Sequence, residues 1–333
     1  MKAVALISGG LDSTLATKLI RDQNIEVIAL NFQTPFCLCN RRASSGCLNH
    51  SAQVANNLGI ELKVINITED FFQIIKNPQH GYGSGMNPCI DCRILKFRKA
   101  REFMRKIGAA FIITGEVLGQ RPMSQHRRAL NIIDKESQLE GLVLRPLSAR
   151  LLSQTIPEKE GWVSRDRLLN FSGRTRKPQI ELAKQLDIKD YPCPAGGCLL
   201  TDSGFAKRIK DLITYEELNL NNVEILKIGR HFRFSKDVKL VVGRNEKEND
   251  RLFNLAKDYD YLFRPLEIKG PAALGRGVFS EELIKLSCRI VLRYSDLDGK
   301  VKADIVYKKS LEKEERMLKV LPVEDSELLS LRI

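Results

Sequence analysis

No apolar run in the 333-residue chain approaches the roughly 20 residues that span a bilayer, which excludes an α-helical membrane protein. The N-terminus lacks the basic, apolar and small-residue succession of a signal peptide. KAVALI is too short for one and reads as a strand, so the cytosol is the expected compartment. Neither G-x-x-x-x-G-K-S/T nor G-x-G-x-x-G occurs, so the common phosphate-binding loops are missing. No internal repeat or low-complexity tract is present. Acidic charge is in short supply: 41 acidic against 54 basic residues leave a net +13. Such an excess suggests a polyanionic partner, most simply nucleic acid, the alternative being a lysine-rich surface.

What is present begins with eight cysteines. Disulfides are not expected in a cytosolic chain, and close spacing favours metal or redox chemistry. Cys37, Cys39 and Cys47 form one group, Cys89 and Cys92 a second, Cys193 and Cys198 a third. Cys288, alone in the apolar run LIKLSCRIVL, is expected to be a buried filler. Cys37, Cys39, Cys47 and His50 offer four zinc-competent side chains, but their irregular spacing favours a cysteine-rich loop over the active site.

The length predicts two or three domains. Up to residue 115, strand and helix patterns alternate: KAVALI, STLATKLIRDQ, IEVIALNF, SAQVANNLG, ELKVINI, EDFFQIIK, RILKFRKAREFMRKIG and AAFIITGE. This predicts a doubly wound parallel α/β sheet, with ligands at the strand carboxyl ends. Residues 116–178 are less regular and arginine-rich. After about 220, LKIGRHFRFSKDVKLVVGRNEKENDRL, YLFRPLEIKG and KLSCRIVLRYSDLDGKVKADIVYK read as short strands with turns, a small β-rich domain. The expected division is 1–150, a helical extension 151–218 carrying the third cysteine group, and 222–333.

SGGLDST follows the first strand and opens a helix. Glycines let backbone amides approach an anion, the helix N-terminus adds free N–H groups, and Ser8, Ser13 and Thr14 add hydroxyls. The segment resembles the PP-loop, S-G-G-x-D-S, of the ATP pyrophosphatase superfamily, which cleaves ATP between the α and β phosphates and transfers AMP to a substrate oxygen. The resemblance implies that Ser8, Gly9, Gly10, Leu11, Asp12, Ser13 and Thr14 hold pyrophosphate and Mg2+. It places Asn31 and Phe32 near adenosine, and Thr114 and Gly115 near the α-phosphate.

GMNPCIDCRILKFRKA sets two cysteines before a basic helix, where the dipole, Arg93 and Lys96 favour thiolates. NPCIDCRILKF resembles the N-P-x-x-x-C-N-x-x-x-K-F segment of bacterial tRNA 2-thiouridylases, with Cys92 at the sulfur-carrying position and Cys89 replacing an aspartate. ITGEVLGQ resembles their ATGH segment, with Glu116 for histidine, and CPAGGCLLTD their second-cysteine loop, with Cys198 as partner. GEVLGQRPMSQ, LRPLSA, EKEGWVSR and SGRTRKPQIELA are similar to 4-thiouridine synthase-like PP-loop proteins. The resemblance covers roughly residues 1–210. It implies catalysis by Asp12, Cys92 and Cys198, and it allows a 4Fe–4S cluster on Cys89, Cys92 and Cys198, with Cys193 as alternate. The rival is a persulfide–disulfide pair on the same cysteines.

Candidate RNA-phosphate contacts are Arg121, Arg127, Arg128, Arg145, Arg174, Arg176 and Lys177. IGRHFRFSKDVKLVVGRNEKEND resembles the NFACT-type RNA-binding domain, which adds Arg230, His231, Arg233, Arg244, Asn245 and Asn249. The function expected is an ATP-dependent tRNA sulfurtransferase making 4-thiouridine or 2-thiouridine. It would draw on inorganic sulfide or a cysteine desulfurase relay. The alternatives are a PP-loop ligase or amidotransferase acting on a small carboxylate, and a non-catalytic RNA-binding iron–sulfur protein.

Overall fold

The computed structural model describes residues 1–37, 47–188, 191, 197–297 and 302–333, without the side chains of 47 and 48. Cys39 and Cys193 lie outside the described residues, as does the Cys47 side chain. The chain divides into two compact units, Met1–Thr201 and Asp202–Ile333. Among the described residues, no helix is long and apolar enough to cross a membrane.

The first unit contains β1 (Lys2–Leu6), α1 (Leu11–Arg21), β2 (Glu26–Gln33), α2 (Cys47–Asn57), β3 (Leu62–Asn66), α3 (Thr68–Lys76), α4 (Cys89–Lys106), β4 (Phe111–Thr114), α5 (Arg127–Glu136), β5 (Val143–Leu144), α6 (Ile156–Lys159) and α7 (Lys177–Gln185). Its strands form one parallel sheet in the order β3-β2-β1-β4-β5. Alternating side chains of the central strands are buried on both faces. Ala3, Ala5 and Ile113 join Leu15, Ile20 and Val54 on one side; Val4, Leu30 and Ile112 join Phe97, Met104 and Ile133 on the other. Helices cover both faces, as a parallel sheet requires. The described residues of 151–201 belong to this unit, with Val163, Leu168 and Ala183 in the first of those cores. The chain runs from β1 outward to β3 and then returns to place β4 on the other flank of β1. That reversal opens a crevice between the carboxyl ends of β1 and β4, where Leu6 pairs with Thr114.

The second unit contains α8 (Ser203–Tyr215), α9 (Leu220–Leu226), β6 (Arg230–Arg233), β7 (Lys239–Val242), α10 (Glu246–Leu255), β8 (Tyr261–Pro265), β9 (Ala273–Arg276), α11 (Glu281–Arg293), β10 (Ala303–Lys309), β11 (Arg316–Val320) and α12 (Asp325–Leu331). The strands make an antiparallel sheet, order β11-β10-β8-β9-β7-β6. Two stretches read as strand are helix. NEKENDRL forms α10, capped by Asn245, whose side chain accepts from Glu248 N. LIKLSCRIVL lies in α11, capped by Ser280 with Glu281 and Glu282 in its first turn. Cys288 is fully buried on α11 among Phe263, Ile305 and Val291.

Candidate nucleotide and thiol site

The nucleotide loop leaves β1 into the crevice. Gly9 takes a positive φ of 74°, and a Cβ there would stand 2.7 Å from the Cβ of His50 on α2. Only glycine fits this turn. Gly10 caps α1 with no side-chain hydrogen bond, so the first-turn amides of α1 are not satisfied by a capping side chain. The hydroxyls of Ser13 and Thr14 turn back onto Gly10 O, at 2.8 and 3.1 Å, and Gly10 N donates to Ser8 Oγ at 3.4 Å. Leu11 is a core side chain, so only its backbone faces the loop.

Asp12 is held rather than loose. Gln120 Nε2 donates to its Oδ2 at 2.9 Å, and Arg176 lies 3.6 Å from the same oxygen. Its Oδ1 is buried with no hydrogen-bond partner, as is Gln120 Oε1. Two partnerless buried oxygens beside an uncapped helix end fit a hydrated divalent cation carrying phosphate. Across the crevice, β4 delivers Thr114 and Gly115. A Cβ on Gly115 would meet Ser13 N at 2.4 Å, so the strand exit and α1 touch through a missing side chain. Asn31 is buried, donating to Ile7 O and Ser51 Oγ at 2.8 and 2.9 Å, while its Oδ1 has no partner. Phe32 is half-buried beside it in sequence.

Behind the crevice lies an ion network that sequence reasoning missed. Glu116 is buried. Burial alone would raise its carboxyl pKa, but Arg93 and Arg145 outweigh burial and hold it below the ordinary range. Arg93 binds it at 2.6 Å and Arg145 at 2.9 Å, while Arg145 also grips both Asp134 oxygens at 2.8 and 2.7 Å. Arg145 was expected on RNA phosphate. It is 5% exposed and fully engaged inside the fold. A buried charge persists only when paired in this way.

The thiols gather beside this network. Cys89 and Cys92 stand one turn apart at the start of α4, hence on one face. Cys89 donates to the buried Ser124 Oγ at 3.1 Å, a partner that no sequence signal marked. The turn holding Cys198 is tied to the segment before α4 by Met86 N donating to Leu200 O at 2.9 Å. The Cys198 thiol is pushed up to about 12, first by burial, with Cys92 and Cys89 adding to the effect. Cys37 pairs with Cys198 across an isolated antiparallel bridge. Of the zinc-competent set Cys37, Cys39, Cys47 and His50, Cys39 and the Cys47 side chain lie outside the described residues. Among the described residues, Cys89, Cys92 and Cys198 included, no group of three or more His, Cys, Asp or Glu side chains is placed to hold a metal ion. Gln120 bonds Asp12 and Ser124 bonds Cys89, so the segment 120–124 ties the nucleotide loop to the thiols, and Arg121 lies within it.

Arg128, Arg174 and Lys177 are exposed, and Arg127 donates to Leu151 O at 2.7 Å. In the second unit the expected RNA residues divide. Arg244 is 44% exposed by side chain and donates to Gly229 O at 2.6 Å. Arg230 stacks 4.3 Å from the Tyr294 ring centroid. Arg233 is an architectural residue: at 11% exposure it binds Asp211 and Glu216, the latter at 2.6 Å. His231 is 2% exposed and bonds Ile228 O at 2.8 Å, which withdraws it from any RNA surface. Asn245 and Asn249 serve the backbone, capping α10 and accepting from Ala272 N at 3.1 Å.

Residues 1–157 match the family model described as tRNA methyl transferase HUP domain, and residues 229–331 match that of the NFACT protein RNA binding domain. The tRNA-specific 2-thiouridylase MnmA of Petrotoga mobilis is 25% identical over 334 residues, 94% of this chain and 85% of that one. The MnmA of Pelobacter propionicus is 27% identical over 198 residues, 58% and 55% of the two chains. The chain spans about half that relative's length and about a third, 34%, of the Nitrobacter hamburgensis MnmA it also matches. Among solved structures, a 4-thiouridine synthetase–RNA complex with bound ATP aligns at TM-score 0.40 and 20% identity, over 68% of this chain and 52% of that one. The U34-tRNA thiolase NcsA of Methanococcus maripaludis, with its 4Fe–4S cluster, aligns at 0.33 and 15%, over 68% and 70%.

Proposed function

We propose that this chain, a relative of the PP-loop tRNA thiouridine synthases with an NFACT-type RNA-binding segment, is an ATP-dependent tRNA sulfurtransferase of the cytosol. The observation that carries the reading is one short segment tied to both nucleotide loop and thiols: Gln120 donates to Asp12 Oδ2 at 2.9 Å, and Ser124, four residues on, accepts from Cys89 at 3.1 Å. A uracil carbonyl oxygen leaves poorly, and attaching AMP makes it a good leaving group. The uncapped amides of α1, with Ser8, Ser13 and Thr14, hold the pyrophosphate end. Asp12 Oδ1 and Gln120 Oε1, both buried without partners, would take a hydrated magnesium, which would supply charge neutralisation for the phosphates. Asn31 and Phe32 border adenosine, and Thr114 and Gly115 border the α-phosphate. Arg121 and Arg176 neutralise charge as pyrophosphate departs.

Cys89, Cys92 and Cys198 offer thiols, the chemistry that iron–sulfur clusters take, but this structure does not place the three as a group that could hold a metal, so no step is routed through a cluster. Burial raises the Cys198 thiol pKa, so either role, ligand or persulfide partner, requires its proton to be drawn off. Exposed Arg128, Arg174, Lys177 and Arg244 are the phosphate contacts that deliver tRNA.

The test is pyrophosphate release with and without tRNA, joined to mass spectrometry of the product nucleosides. tRNA-dependent release and a thiolated uridine are expected, and the nucleoside identifies position 2 or 4. Release stimulated by a small carboxylate instead would favour the ligase alternative. Brown colour after anaerobic purification, lost in Cys92→Ala, is the expected mark of the cluster, whereas a colourless preparation that still thiolates would exclude it.

A further inference from the structure

Phe36 is fully buried, its ring edge-on to Phe71 and Phe72 at 5.6 and 6.1 Å. That anchor fixes the chain just before Cys37. Phe36 O accepts from Leu199 N at 2.8 Å, and Cys37 and Cys198 face each other across the bridge. A bond between the residues flanking the pair marks a non-hydrogen-bonded antiparallel pair, in which Cα atoms stand about 4.5 Å apart and side chains are closest. This separation falls inside the roughly 4.4–6.8 Å that a disulfide spans. Both residues are half-buried.

We infer that Cys37 and Cys198 form a dithiol–disulfide site, in which Cys37 is the covalent partner of Cys198. The reagent is a small-molecule disulfide. The Cys37 thiolate attacks one of its sulfurs, the S–S bond breaks, and one thiolate leaves. Cys198 then attacks the Cys37 sulfur, breaking the mixed disulfide and releasing the second thiolate. The two cysteines lose two electrons and two protons, and the reagent gains them as two thiols. The closed pair removes Cys198 from the set it shares with Cys89 and Cys92, so the site doubles as a redox gate on that set. The cross-link itself does not depend on the sulfurtransferase reading.

The experiment uses the full chain, reduced, chelator-treated and then exposed to oxidised glutathione at neutral pH. A Cys39→Ser background leaves one thiol in the peptide that carries Cys37. Thiols are alkylated under denaturing conditions and cross-linked peptides identified by mass spectrometry. The dominant link is expected between Cys37 and Cys198. It should disappear in Cys37→Ser, leaving Cys198 glutathionylated or reduced, and should persist in Cys92→Ser. A dominant link from Cys198 to Cys92 or Cys89 overturns the inference. So does glutathionylation of Cys37 and Cys198 without a link between them.

Discussion

The nucleotide crevice of the first unit and the arginine clusters of the second unit treat their polar side chains differently. In the first, the carboxylate of the nucleotide loop keeps a buried oxygen with no partner, and so do Asn31 and Gln120 nearby. In the second, the basic side chains of a sequence pattern that resembles an RNA-binding domain are largely turned inward. Arg233 clasps two carboxylates, and Arg276 binds Asp260 at 2.6 Å and Asn221 at 3.0 Å. Polar atoms left without partners inside a fold are costly, so their clustering at one crevice points to a ligand. Basic residues matched by carboxylates point to architecture. A motif therefore identifies function only where its chemistry remains unused by the fold.

Substitutions can break or sharpen this contrast. The largest effect is expected from Asp12→Asn, which removes charge at the partnerless oxygen. tRNA-dependent pyrophosphate release should fall by on the order of a thousandfold with little change in melting temperature. A fall below tenfold would mean that the free oxygen is incidental. Arg233→Ala should do the reverse. It strips the partner from Asp211, leaves Glu216 with Lys239 alone, and should cost about 3 kcal/mol in denaturant unfolding, while exposed phosphate contacts remain intact.

His231 provides a pH test of the buried side of the comparison. Its pKa is held well below the ordinary value, first by burial and then by the charges of Lys239 and Arg208. The unfolded chain therefore binds a proton near pH 6.5 that the folded chain refuses. Stability should be insensitive to this group above about 6.5 and fall below it, by up to about 1.4 kcal/mol per pH unit. Unfolding curves of the wild type and His231→Gln, compared between pH 7.5 and 5.5, read the difference; equal slopes would refute it. The smallest effect is expected from Arg244→Ala. tRNA affinity should drop a few-fold and the salt dependence of binding should shrink by about one charge, with melting unchanged.

The parallel sheet was legible because its signal is local: short β-branched runs, each followed by a helical period, with the glycine loop at a strand end. The largely apolar stretch around Cys288 misled because ten residues with seven apolar positions suit a strand or a buried helix equally. Ser280, Glu281 and Glu282 were the helix-start signal that went unused. Asp12 and Cys92 could be read from their neighbours in sequence. Gln120, Ser124 and the Glu116–Arg145 network could not, because they matter only through partners that folding brings from other strands. Arg233 was misread for the same reason: sequence shows a charge but not the carboxylates opposite it.

Gly115 has one further consequence. With Ser13 N where a methyl carbon would need to be, the distance between the β4 exit and the start of α1 is set by the absence of an atom. Alanine at this position would act as a wedge. It would leave every hydroxyl, thiol and carboxylate of the crevice in place and still part the two walls against which a nucleotide is gripped. The tolerance of the whole site thus rests on a residue with no chemistry of its own.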